Sequence, residues 1–147
     1  MYKRILVPTD GSKLSTAALK AAIVLGKDTG ATLVVLNVQP TYMPPIVSEI
    51  PVPYTYSPKD HEVAVKKAAG KILAAATKLA ESAGVPLETR YVQDATPYEA
   101  IIRAAKRARC DLIVMASHGR RGLSGLLLGS ETHKVLTHCK TPVLVHR

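Results

Sequence analysis

The sequence predicts an α/β fold: an open, doubly wound, mainly parallel five-stranded sheet with helices on both faces. Three observations carry that prediction. The runs "KRILVPT", "ATLVVLNV" and "DLIVMAS" are almost continuously apolar and rich in β-branched residues, the pattern of strands buried on both faces. Segments of helical period lie between the strands. The two kinds of element also alternate along the chain, as parallel pairing through crossover helices requires.

Each element has its own local reason. After "KRILVPT", the segment "SKLSTAALKAAIVLGKDTG" repeats apolar residues at Leu14, Ala18, Ala21, Ala22 and Leu25, with Ser12 placed to cap the helix and Gly30 to stop it. "ATLVVLNV" completes a strand–helix–strand unit. Residues 40–58 interrupt the pattern and hold six of the ten prolines, so regular helix is excluded over most of a stretch too long for an ordinary connection. A surface excursion is expected there. A long helix follows from Lys59 to Ser82, with Val65, Ala68, Ala69, Ile72, Ala76, Leu79 and Ala83 on one face and Gly84 and Pro86 ending it. "PLETRYVQ" alternates, which marks a less buried strand at a sheet edge. Pro97 opens the next helix at a position where its missing N–H costs nothing. Its inward residues are Tyr98, Ile101, Ile102 and Ala105, and Arg103, Lys106, Arg107 and Arg109 are left outside. "SETHKVLTHC" makes a short fourth helix and "TPVLVHR" a last strand.

The 147 residues form one expected domain, long enough for a single core and without internal repeat. No apolar run reaches the length of a membrane helix, and that of "MYKRILVPTD" stops at Pro8, too short for a secretory leader, so a cytoplasmic protein is expected. Cys110 and Cys139 form neither a CxxC pair nor a disulfide framework. Twenty Lys and Arg against eleven Asp and Glu leave a formal charge of +9, which attracts phosphates of any origin. With no Phe and no Trp, the stacking platforms of a single-strand nucleic-acid binder would rest on six tyrosines, which argues against nucleic acid.

The chemistry concentrates in "SHGRRGLSGLLLGS", residues 117–130, which places four glycines after a buried strand. Glycine costs conformational entropy, so such a cluster answers either to special backbone angles or to close approach by another group. In a doubly wound sheet, ligands bind beyond the carboxyl ends of the strands where strand order reverses. The "PTDGS" after the first strand and the "ASHGRRG" after the fourth would then line one crevice, with a helix N-terminus at Ser130 as an anion site. A side chain at Gly129 is accordingly expected to harm ligand more than fold. The competing reading is a long loop whose glycines merely satisfy turns, with Leu126, Leu127 and Leu128 covering the sheet end. The segment is neither a Walker A loop nor GxGxxG.

At these residues the chain resembles the universal stress protein family over essentially its whole length. "RILVPTDGS", "LVVLNV" and "DLIVMASHGRRGLSGLLLGSETHKVLTHCKTPVLV" match in kind and order. The ATP-binding branch of that family carries G-x2-G-x9-G-[S/T]. Gly119, Gly129 and Ser130 match it, and Ala116 stands where the first glycine would be. The resemblance implies a Rossmann-like fold of strand order 3-2-1-4-5 and a small ATP-binding stress-response regulator with at most slow hydrolysis; AMP or ADP are alternatives as ligand. Adenine would meet the Val38 backbone, and ribose would lie by Pro8, Thr9, Asp10 and Ala116. Phosphates would be held by Gly119, Arg120, Gly129, Ser130 and the amides of Glu131 and Thr132, with His118 close by. Asp10 would help hold Mg2+ against the phosphates. Alanine at 116 suits a backbone contact unless φ must be positive. The Glu131 carboxylate would repel phosphate unless turned away.

Other constellations are weaker. Ser117 and His118 with Asp10 or Asp111 suggest a hydrolase triad, but no nucleophile elbow is present. His133, His138 and Cys139 lie on different faces of their helix and do not make a metal site. The second functional class is an interaction module of the same fold that does not bind ATP. Finally, "TPVLVHR" at a sheet edge is a pairing hazard, so a homodimer joined through residues 142–146 is expected, as the resemblance also implies.

Overall fold

The structure is a computed structural model of the full chain and describes residues 1–44, 57–118 and 128–147. The proline-rich stretch from 45 to 56, and with it most of the expected excursion, lies outside the described residues. Five strands, β1 (Arg4–Pro8), β2 (Thr32–Gln39), β3 (Leu87–Gln93), β4 (Leu112–Ala116) and β5 (Val143–His146), alternate with α1 (Lys13–Thr29), α2 (Pro58–Ala83), α3 (Pro97–Arg107) and α4 (Ser130–His138). All strand pairs are parallel, in the expected order β3-β2-β1-β4-β5.

The sheet separates two cores by the two-residue period of its strands. Ile5, Val7, Leu33, Val35 and Val114 face α1 and α2, whereas Leu6, Val34, Leu36, Ile113 and Met115 face α3 and α4. The strands β1, β2 and β4 are buried almost throughout, and β3 is half exposed, as its alternating sequence predicts.

The faces of the long helices differ from their apolar spacing in detail. In α1 the buried residues are Ser15, Ala18, Leu19, Ala22, Ile23 and Gly26, and Leu14 is 39% exposed. The helix is rotated because two of its small residues go inward. Ser15 enters to hydrogen-bond Thr9, the two hydroxyls lying 3.1 Å apart. A Cβ at Gly26 would stand 3.2 Å from both Leu33 and Val85, so this glycine sets how closely α1 lies on the sheet. Ser12 caps α1 as expected, and Gly30 ends it with φ 69°. A full capping box of Ser57 and Asp60 starts α2, whose buried residues are His61, Val65, Ala69, Ala76 and Ala80. Ala68, on the expected inward face, is exposed. His61 is turned in to meet the carbonyl of Pro40 at 2.9 Å. In α3, Ile101 and Ala105 are buried with Ala100 and Ala104, and Tyr98 and Ile102 are half-buried.

At the amino end of the sheet, Asp111 ties β4 to β1, its carboxylate accepting from the amides of Lys3 (2.8 Å) and Arg4 (3.1 Å). Burial opposes its ionisation, but these amides prevail and hold its pKa below the ordinary carboxylate value. The Arg4 guanidinium bonds the Ala108 carbonyl and the Glu88 carboxylate. Both cysteines are free thiols, and burial pushes that of Cys110 up to about 11, which leaves it inert at neutral pH. Among the described residues no helix is long and apolar enough to cross a membrane.

A carboxyl group with a lowered folded-state pKa contributes stability that is complete above its unfolded pKa and is lost as pH falls through the folded one. Asp111→Ala is therefore expected to lower the unfolding free energy by about 1 kcal/mol at neutral pH, the scale of a solvent-weakened charged hydrogen bond. Urea denaturation of both proteins should show the gap closing in acid. A gap that persists unchanged in acid would assign the effect to packing instead.

Candidate functional site

The strand order reverses at the neighbours β1 and β4, so the chain leaves β1 toward one face of the sheet and β4 toward the other. The candidate crevice at their carboxyl ends is flanked by Pro8–Gly11 on one side and Ala116–His118 with the start of α4 on the other. Gly119 and Arg120 lie outside the described residues. Of the remaining expected site residues, Pro8, Thr9, Asp10, Ala116, His118, Gly129, Ser130, Glu131 and Thr132 all stand at these two strand ends or on the helix that follows the second.

Hydrogen bonds hold the β1 side. The Thr9 amide donates to the Leu36 carbonyl at 2.9 Å, and the Thr9 carbonyl accepts from the Asn37 side-chain amide at 2.8 Å. Gln39 in turn donates to Asn37 at 2.8 Å. Gly11 turns the chain with φ 76°, and Asp10 Oδ1 accepts from the Ser12 amide at 2.9 Å, which directs the chain into α1. Asn37 is almost fully buried and was missed by sequence reasoning. Its signal is one polar amide within "LVVLNV", since a buried side-chain amide requires partners.

Val38 follows from the same geometry. The Leu36 carbonyl turns toward β1, and the Gln39 carbonyl turns toward β3, where it accepts from Asp94 at 2.9 Å. Alternation along the strand therefore directs the backbone N–H and C=O of Val38 to the β1 side. Pro8 pairs with Leu36 and is the last residue of β1, so these groups face the space beyond the strand end.

On the β4 side, Ala116 is a buried strand residue without positive φ, so alanine is compatible with the backbone here. Its carbonyl accepts from the Thr132 hydroxyl at 2.9 Å, which ties α4 to the strand it follows. The Ser117 amide donates to His146 at 2.8 Å, and the Ser117 carbonyl accepts from the Gly129 amide at 2.7 Å. Ser117 is buried and its hydroxyl lies 3.0 Å from His118 Nδ1, while His118 Nε2 is buried with no partner among the described residues. Asp111 sits at the opposite end of the strand, bonded to Lys3 and Arg4, and cannot complete a triad with His118.

Gly129 caps α4 at φ −69° and ψ 152°, angles that any residue adopts, and it has no side chain with which to cap. The amides of Ser130, Glu131 and Thr132 thus form the open first turn of the helix, with no acceptor among the described residues. The Glu131 carboxylate is turned away from them. It accepts from the Tyr98 amide at 2.8 Å and from Lys134 at 3.2 Å, capping α3, whose own cap residue Thr96 makes no such bond. No cluster of three metal-ligating side chains occurs among the described residues, and His133 and His138 are exposed. His138 packs on Tyr98.

The switch point of a doubly wound parallel sheet, with an open helix N-terminus beside it, is where α/β folds of this kind bind ligands. The universal stress protein family model matches residues 1–147, and the chain belongs to that family. It is 36% identical over 149 residues to universal stress protein YxiE of Bacillus subtilis, covering 100% of both chains. Its fold is similar to that of protein MJ0577 of Methanocaldococcus jannaschii, with TM-score 0.81, 26% identity and coverage of 99% of this chain and 95% of the other. It is also similar to a universal stress protein solved in complex with cAMP, with TM-score 0.71, 27% identity and coverage of 99% and 97%.

Gly129 also has a structural reason in its surroundings. A Cβ there would come within 3.0 Å of the Ser117 carbonyl oxygen and 3.3 Å of His118 Cα, so the missing side chain makes room for the end of β4. Gly129→Val is expected to destabilise the fold by about 1–3 kcal/mol, as overpacking against backbone does. Chemical denaturation without ligand measures this directly. An unchanged midpoint would return the glycine to a role in ligand binding alone.

Proposed function

We propose that this protein binds an adenine nucleotide, ATP with Mg2+ foremost and AMP or ADP as alternatives, in the crevice between β1 and β4. The observation that carries the reading is the open first turn of α4, where the Ser130, Glu131 and Thr132 amides face no acceptor among the described residues while the Glu131 carboxylate is engaged with α3. Amides at a helix N-terminus are suited to phosphate. The outward-facing backbone of Val38 gives adenine a donor and an acceptor. Thr9 and Asp10 stand where a ribose would lie between the two. A structural neighbour solved with cAMP supports an adenine nucleotide as the ligand class.

Asp10 supplies one carboxylate at this crevice, which suits Mg2+, an ion held by one or two carboxylates together with phosphate oxygens. The ion would neutralise phosphate charge. Gly119 and Arg120 belong to the same proposed phosphate cradle. His118, with Nδ1 near Ser117, would lie close to the ligand, and hydrolysis would be slow. Binding without rapid turnover suits a cytoplasmic stress-response regulator whose occupancy is the signal. Titration calorimetry with ATP and magnesium is expected to give micromolar-range binding that weakens with added salt, because charge-assisted contacts carry it. No heat at millimolar ATP would overturn the reading in favour of an interaction module.

The working form is a homodimer through the outer edge of β5. Among the described residues that strand pairs only with β4, and Leu144 on it is 42% exposed. Pairing two such edges removes unpaired backbone groups from both copies. Light scattering should give a dimer at high micromolar concentration, and Leu144→Lys should shift it to monomer. A strict monomer before substitution would rule the dimer out.

A further inference from the structure

The basic residues of α3 and its end are all exposed, as expected, but they differ in what they line. Arg103 and Arg107, one helical turn apart, line a groove of about 550 Å³ between α3 and the edge strand β3, with Arg90 across from them. Lys106 and Arg109 are exposed and lie outside its lining. The groove lies where, among the described residues, α3 packs over β2 and β1 more than over β3. Its apolar lining is the half-buried Val92 together with Leu36, Ala100 and Ala104, which are buried.

The charges around the groove are unequally engaged. Arg103 is tied to Asp94 and Glu99, and Arg90 to Glu88, which also takes Arg4. Asp94 is further occupied by the Thr96 amide at 2.8 Å. Arg107 has no anionic partner among the described residues. The result is an uncommitted guanidinium beside apolar walls, in a volume within the range of small-molecule sites.

We propose that this groove binds a small organic anion with a compact apolar body, a carboxylate or phosphate monoester, its charged group on Arg107 and its body against Val92, Ala100 and Ala104. A guanidinium fork suits either oxyanion bidentately. Addition of a partner strand is disfavoured at this edge, because Glu88 and Arg90 place charges along β3, as protected edges do. Nucleic acid would call on Lys106 and Arg109, which lie outside the groove.

The site is independent of the nucleotide crevice, and amide chemical shifts of the full-length protein separate the two. Benzoate and phenyl phosphate are titrated at millimolar concentration, with ATP and without it. Both should shift the amides of Val92, Ala100 and Ala104 saturably, whether or not ATP shifts Ser130–Thr132. Arg107→Ala should weaken the effect by about fivefold or more, the loss expected for a charged hydrogen-bonded pair, and Lys106→Ala should leave it unchanged. Inorganic phosphate acting as strongly as phenyl phosphate would overturn the proposal, since charge alone would then account for binding. Tighter binding of a glutamate-rich peptide to the same amides would overturn it in favour of a protein-docking surface. Absence of saturable shifts in the groove, or equal loss in both variants, would also overturn it.

Discussion

The central strand β1 must be paired on both edges and covered on both faces, and the rest of the structure follows from that requirement. Ile5, Leu6 and Val7 are completely buried, so no backbone group of this strand can turn to water. Parallel neighbours, β2 on one edge and β4 on the other, satisfy it, and parallel pairing demands crossover helices. Right-handed crossovers that run from β1 through β2 to β3, and then from β3 back across to β4 and on to β5, put α1 and α2 on one face and α3 and α4 on the other. The chain therefore parts at the carboxyl ends of β1 and β4, the position where doubly wound folds bind their ligands.

The candidate crevice there is kept in shape by polar groups that the core could not otherwise hold. Asn37 and Thr132 are both buried, and each donates to a carbonyl at a strand end, Thr9 or Ala116. A buried hydroxyl or amide without a partner costs about 1–3 kcal/mol on mutational scales, so these side chains specify the strand ends they bond. The close approach of Gly129 to Ser117 and His118 does the same for the start of α4. The open turn of α4 is thus presented by a braced frame.

The two helices on that face are joined head to head. Glu131 of α4 caps Tyr98 of α3, and Lys134 lies over the Tyr98 ring at 5.4 Å. One carboxylate thereby removes its own charge from the mouth of the crevice and satisfies a helix that lacks a cap of its own. The position of α3 is set by this contact at one end and by its apolar packing on β2 and β1 along its length. Its remaining side borders the groove along β3.

The sequence by itself determined the order and kind of the elements and the parallel sheet, and it pointed to one candidate site. Buried strands and helical spacing are written in residue type over short windows, and Ser12, Gly30, Gly84 and Pro97 mark helix ends locally. Family motifs then locate the crevice at "PTDGS" and at Ala116 to Thr132. Only the tertiary structure decided which helix faces turn inward, why Gly129 has no side chain, where Glu131 points, and that Arg103 and Arg107 part from Lys106 and Arg109. Each of these depends on a partner far away in sequence: Thr9 for Ser15, Ser117 for Gly129, Tyr98 for Glu131, β3 for the two arginines. Local spacing carries no record of such partners, because close packing and hydrogen bonding are set by what the folded chain brings alongside.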